Sequence, residues 1–222
     1  MIVVTRSVTP DLYSMMSGLI PSEIRKRKYK GFDRSEDCLY YLIEILKDNR
    51  EWIVNVDDDC FIHDWSVVED LILYMKDNDF DYCGMPDGGL IPIRKRNWTV
   101  TNPFFTIFNG KKIELPELEE LLSYGYSESF EKDKPKKIHE GLINRSLESP
   151  FNPLFYFLRT HHKVLNLLNV RTHSDGYSTI VSDLKERPFA LHSWYSREYT
   201  RDPKQKERID KLYKEALSYK IQ

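Results

Sequence analysis

The chain has 222 residues, 41% of them hydrophobic and 31% charged, which is enough to build a sizeable core and excludes wholesale disorder. Lys and Arg number 33 against 35 Asp and Glu, a formal net charge of −2, so there is no global basic field for nucleic acid or an anionic membrane. Cys38, Cys60 and Cys83, in no CxxC spacing, read as free thiols of a reducing compartment. The opening Met1-Ile-Val-Val-Thr5 is too short for a signal peptide, and no run approaches the roughly 20 apolar residues of a membrane span. These features lead us to expect a soluble, cytoplasmic protein.

In chain order, Ile2-Val3-Val4 is short and β-branched, as in a buried strand. Ser35 can cap a helix to about Asn49, with Leu39, Leu42, Ile43 and Leu46 at helical spacing. Trp52-Ile53-Val54-Asn55-Val56 is a second buried strand, followed by Asp57, Asp58 and Asp59. Ser66 and Glu69 form a capping-box pattern before Val67, Val68, Leu71, Ile72 and Met75. Phe80 to Gly84 and Phe104 to Phe108 read as strands, Asn152 to Leu168 as a helix, and Ala190-Leu191-His192 as a last short strand. Ser127 to Ser149, rich in Lys, Glu, Ser and Pro, reads as an exposed loop, and the chain after Pro203 as a charged amphipathic helix. Strands alternating with helices imply an α/β fold with a mainly parallel central sheet flanked by helices.

The acidic triplet is the strongest chemical signal. Asp57 and Asp59 lie two apart at the carboxyl end of a predicted parallel strand, where side-chain alternation puts both on one side. Open α/β folds bind ligands at that edge. Two adjacent carboxylates repel unless a cation or proton lies between them. A hard divalent ion, Mn2+ or Mg2+, suits the oxygen donors. The competing reading is a solvated turn, but a turn more often contains Gly, Asn or Pro.

The stretch Trp52 to Ile62, with its Asp-Asp-Asp, resembles the DxD region of glycosyltransferases of the GT-A fold. The resemblance implies a single GT-A-like, Rossmann-like domain over about residues 1–202. Residues 1–110 would be its nucleotide-binding part, 111–202 its acceptor-side part, and 203–222 a C-terminal helix. Only 56 residues precede Asp57, so a βα unit is expected to be shortened or missing. The resemblance further implies a metal that bridges the diphosphate of a nucleotide-sugar donor, and transfer to a glycan or other hydroxyl acceptor.

Other positions follow from that resemblance. Thr5, Arg6 and Ser7 leave the first strand where the family contacts the nucleotide, with Asp33, Arg34 and Asp58 as further nucleotide-binding candidates. His192 matches the family's C-terminal metal or diphosphate ligand, beside Asp57 and Asp59. Arg197 and Arg201 are candidates for the leaving diphosphate, since guanidinium matches phosphate oxygens bidentately. Asp87, Gly88 and Gly89 form a loop that is either a tight turn or a wall for sugar or acceptor, and Trp194 is a second such candidate. Asp175, in His173-Ser-Asp-Gly-Tyr-Ser-Thr179, is the candidate base for an inverting reaction, or else a cap for a following helix. The run Arg25-Lys26-Arg27-Lys28-Tyr29-Lys30 reads as a solvated loop and His161-His162 as surface. A phosphohydrolase of the haloacid-dehalogenase type also uses Asp-x-Asp after a strand, with the first Asp as nucleophile, but Cys60-Phe61 follows here instead of that family's Thr or Val. A non-catalytic sugar- or metal-binding module is the third reading.

Overall fold

The computed structural model describes residues 1–87, 97–138 and 149–220. The first half runs Ile2–Arg6 (β1), Pro10–Leu19 (α1), Arg25–Tyr29 (β2), Cys38–Asp48 (α2), Trp52–Val56 (β3), Cys60–Ile62 (β4), Trp65–Asp77 (α3), Tyr82–Pro86 (β5) and Thr101–Asn109 (β6). The second half adds Leu118–Ser123 (α4), Asn152–His161 (α5), Val164–Asn166 (β7), Val170–Thr172 (β8), Thr179–Ser182 (β9), Pro188–His192 (β10) and Pro203–Lys220 (α6).

The fold is α/β. A six-stranded sheet of order β2-β1-β3-β6-β5-β7 is flanked by helices. It is mixed, mostly parallel: β1 is parallel to β2 and β3, β5 is parallel to β7, and β6 runs antiparallel to both of its neighbours. A second sheet, β4-β10-β9-β8, is antiparallel throughout and is not evident in the sequence pattern.

Alternation along the strands sorts the core into two layers. Val3, Val54 and Val56 pack on one face with Leu12 and Met16 of α1 and Val68 of α3. Ile2, Val4 and Ile53 pack on the other with Leu42 and Ile45 of α2 and Leu154 of α5. Central strand β6 is buried along almost its whole length, which explains why apolar Phe104, Phe105, Ile107 and Phe108 fall on both of its faces. From β1 the chain crosses to β2 on one side and then to β3 on the other. The carboxyl ends of β1 and β3 therefore border the crevice where such sheets bind ligands.

Several local expectations change. The helix expected to reach Leu168 stops at His161, and Val164–Asn166 pairs with Tyr82–Gly84 as a parallel strand, because a short apolar run fits either element. The basic run is strand β2, not a loop. Arg25 pairs with Glu51 and Arg27 with Asp48, while Lys28 lies over the Tyr13 ring. Charge on an edge strand discourages pairing with other chains. Ser35 does not cap α2, which begins after Asp37. Asp64, not Ser66, caps α3, accepting from the Ser66 amide at 3.1 Å. His161 is on the surface as expected, its Nε2 2.8 Å from the Tyr124 hydroxyl, whereas His162 is partly buried, with Nδ1 3.4 Å from Asp81. The stretch from Ser127 carries a 3-10 turn, Glu128–Asp133, with Phe130 buried, and its continuation over 139–148 lies outside the described residues.

The C-terminal helix α6 is part of the core. Ile209, Leu212 and Ala216 are buried in the same cluster as α1, α3 and the second sheet. Replacing a buried Leu with Ala costs about 2–5 kcal/mol, and each kcal/mol lowers Tm by about 2–4 °C at this chain length. Leu212→Ala should therefore lower the melting temperature of the whole chain in one cooperative transition followed by circular dichroism. An unchanged main transition would mean that α6 does not contribute to this core.

Candidate metal centre

The triplet spans the corner between the two sheets. Strand β3 ends at Val56, and β4 begins at Cys60 in the other sheet. The amide of Cys60 donates to the Asp57 carbonyl at 3.1 Å, closing a tight turn, and the Asp57 amide donates to Phe104 O at 2.8 Å. Asp57 and Asp59 thus face one cavity across a turn, not by alternation along a strand as the sequence spacing implies. Asp58 points the other way. It is buried, and its Oδ2 accepts from the amides of Val8 and Thr9 at 3.3 and 3.2 Å. It pins the loop between β1 and α1.

His192 reaches the corner through strand pairing, since it lies opposite Cys60 in the β10–β4 ladder. Its ring is stacked on Phe104, with centroids 4.0 Å apart and planes 4° apart, and Trp194 packs against it at a tilt, with centroids 4.1 Å apart. These two ring contacts fix the imidazole with Nε2 3.5 Å from Asp59 Oδ1. The following residue, Ser193, donates its amide to the Asp59 carbonyl at 3.0 Å and its hydroxyl to Asp59 Oδ2 at 2.9 Å. Asp57, Asp59 and His192 each offer one ligand atom, all within 4.8 Å of one another. His192 Nδ1 is buried and has no hydrogen-bond partner among the described residues. Two carboxylates and one imidazole suit Mn2+, or Mg2+ with added water and phosphate oxygens.

The electrostatics are those of a site short of positive charge. Burial pushes the Asp57 carboxyl up to about 7, with Arg6 and His192 pulling it down and Asp59 adding to the rise. Burial and then Asp59 push Asp58 up to about 6, against the hydrogen bonds from Thr9, Ser7 and Val8. At Asp59 burial acts in the same direction, but His192 and the Ser193 hydroxyl outweigh it and the pKa falls below the usual value.

A cavity of about 490 Å³ opens over the corner. Arg6, Asp87, His192, Trp194 and Arg197 line it together with Asp57 and Asp59. Asp87 is buried and accepts from Asn102 Nδ2 at 2.6 Å. A second cavity of about 470 Å³ adjoins it, lined by Thr9, Asp33, Arg34, Arg197 and Arg201 among others. Arg197 Nη1 donates to Ser35 Oγ at 2.9 Å, and both residues border both cavities.

The structure therefore gathers most of the sequence candidates, though not all. Thr5, Ser7 and Asp58 are buried and line neither cavity. Gly88 and Gly89 lie outside the described residues. Asp175 lies in the hairpin between β8 and β9 and also lines neither cavity. Its Oδ1 accepts from the amides of Tyr177 and Ser178, and its Oδ2 from the Ser178 hydroxyl and Arg208. Burial works to raise its pKa, but these bonds win and hold it at about 2, too acidic for an efficient base near neutral pH. It caps no following helix either, because a strand follows. Ser193, which binds Asp59, and Asn102 and Cys38, which line the first cavity, are not among the sequence candidates. Ser193 had a visible signal, its place beside His192 in a dense polar cluster; Asn102 and Cys38 had none.

No family model matches the chain, and no curated protein matches it. Among solved structures it is similar to the crystal structure of A197 from STIV, at a TM-score of 0.40 and 11% identity over 85% of this chain and 91% of that one. Among the described residues no helix is long and apolar enough to cross a membrane.

A pH dependence follows from the raised carboxyls. With folded pKa values of about 7 and 6 at Asp57 and Asp58 and an unfolded value near 3.9, the native state holds more protons than the unfolded state across that window. Stability must therefore fall as pH rises from about 4 to 7. The melting temperature of metal-free protein should drop over this range. Excess Mn2+ at pH 8 should reverse the drop, because a ligand of the native state stabilises it. A shallower fall in Asp57→Asn than in the wild type, with the part due to Asp58 remaining, would locate the effect. A wild-type profile that rises with pH would contradict it.

Proposed function

We propose that the chain is a metal-dependent glycosyltransferase that moves a sugar from a nucleotide-diphosphate donor to a hydroxyl acceptor. The observation that carries this reading is the convergence, on one cavity, of the Asp57–Asp59–His192 cluster with two guanidinium groups, Arg6 and Arg197. Carboxylates that seek a cation beside arginines that seek an anion suit a metal–diphosphate pair better than either ion alone. The order of the strands supports it too, since the cluster sits at the carboxyl ends of the parallel neighbours β1 and β3, between which the chain's crossing changes side.

Bound there, Mn2+ or Mg2+ supplies neutralising charge for the leaving diphosphate. The protein groups take distinct parts. Asp57, Asp59 and His192 hold the metal. Arg6 and Arg197 face the diphosphate oxygens. The adjoining cavity, with Asp33, Arg34 and Arg201, receives the nucleoside. Asp87, on the wall of the first cavity, accepts hydrogen bonds from sugar or acceptor hydroxyls. It replaces Asp175 as the carboxylate at which the acceptor proton would be held. The three cysteines are free and buried, which fits a reducing compartment such as the cytoplasm.

The test is hydrolysis or transfer from UDP-, GDP-, CMP- and dTDP-linked sugars, followed by release of the nucleotide. Turnover of at least one donor is expected, to be abolished by EDTA and restored by Mn2+. Asp59→Asn should lower kcat/KM by about 100-fold or more, the scale of losing one electrostatic stabiliser. Turnover that is indifferent to EDTA would contradict the reading. Phosphate release from a simple phosphomonoester with no activity on any nucleotide sugar would replace it with a phosphohydrolase.

A further inference from the structure

We propose that Arg208, on the C-terminal helix, is a positioning residue of the metal centre: it locks the strained turn after β10 and so keeps His192 and Ser193 turned toward Asp59. The inference rests on the metal-centre reading above.

Trp194 and Tyr195 both have left-handed backbones, with φ of 57° and 61°. That conformation is uncommon for bulky residues and persists only where the surroundings over-determine it. On the inner side, Ser193 binds Asp59 twice and the Trp194 ring packs on His192 while its Nε1 donates to Thr179 Oγ1 at 2.8 Å. On the outer side the Trp194 carbonyl accepts from Arg208 Nη2 at 3.0 Å. The same guanidinium donates through Nη1 to Ser178 Oγ at 2.7 Å and reaches Asp175 Oδ2 at 3.3 Å, while its Nε donates to Gln205 at 2.9 Å. The Arg208 side chain is only 12% exposed. One planar group thus ties the β8–β9 hairpin, the strained turn and α6 together, and Asp175 is its counter-ion.

The effect on the metal centre runs through a single proton. The Ser193 hydroxyl lies 2.9 Å from Asp59 Oδ2 and 3.2 Å from the Trp194 carbonyl, and it can donate to one of them at a time. A charged donor from Arg208 already serves that carbonyl, which leaves the Ser193 proton for Asp59. Without it the carbonyl competes for Ser193, and the left-handed pair is free to relax away from His192. Docking of α6 does not need the guanidinium, since Ile209, Leu212 and Ala216 supply apolar burial.

The probe is Mn2+ alone, titrated into the full chain and followed by electron paramagnetic resonance, with melting temperature measured on the same samples. Arg208→Gln should raise the Mn2+ Kd about tenfold, the lower end for an outer partner of a metal site. Arg208→Lys should also weaken binding, because one ammonium cannot span the carbonyl and the hairpin together. Lys211→Gln, which removes an exposed pair with Glu207 on the same helix, should leave the Kd unchanged. A merely structural role would lower the melting temperature and leave the affinity of the folded protein as it was; that result overturns the proposal. If Arg208→Gln does not fold, Arg208→Lys decides by the same criterion. Wild-type protein that binds no Mn2+ defeats the metal centre and this proposal together, whereas wild-type binding that both Arg208 variants match defeats the proposal only.

Discussion

Two carboxylates and an imidazole are forced together where the chain leaves one sheet and enters another, and little in the fold lets them separate. The strands on either side of the corner are buried: Val54, Val56, Cys60 and Phe61 are each 0% exposed. The turn cannot swing outward without taking core residues into water, at a cost of about 1.5–3 kcal/mol for each large apolar side chain. Asp57 and Asp59 therefore stay together, and their repulsion is relieved by a proton or a cation, not by movement. Asp58 makes the corner stiffer by tying it to the loop after β1.

The second sheet turns this corner into a site. Register, not sequence proximity, brings His192 beside Asp59, through the His192–Cys60 pair of β10 and β4. A slip of one residue would turn the ring to the opposite face. The central sheet does the same for Arg6, which leaves β1 two residues beyond the Val4–Asn55 pair, on the edge where Asp57 leaves β3. Three separate strand ends thus converge, and the arginine that meets them from the other side, Arg197, comes from the segment just beyond β10. The C-terminal helix closes this arrangement from behind, through the apolar face that docks it and through Arg208.

How much of this is legible in the sequence depends on whether the signal is local. Strands β1, β3 and β6 announce themselves as apolar runs because they are buried on both faces, and the triplet stands out because it interrupts such a run. His192 is legible as the polar end of a short apolar strand. Strands β8 and β9 are not, since three or four residues of mixed polarity carry no pattern of their own. With them hidden, Ser174-Asp175-Gly176 looks like a functional loop, when its aspartate is consumed by the turn it stabilises and by Arg208. Strand β2 is masked by charge suited to an edge. The split roles of Asp57, Asp58 and Asp59 are illegible for a different reason: the tight turn that separates them is set by the strands on either side, not by the three identical residues.

A metal site at the corner of the two sheets, built to meet a diphosphate, is the proposal on which the rest turns. It is tested most directly by a crystal structure of the protein grown with Mn2+ and a nucleoside diphosphate, using anomalous scattering to place the manganese. A single strong anomalous peak is expected within coordination distance of Asp57, Asp59 and His192, with the diphosphate between it and Arg6 and Arg197. Full nucleotide density with no manganese at the three side chains, or manganese bound elsewhere on the chain, would contradict it.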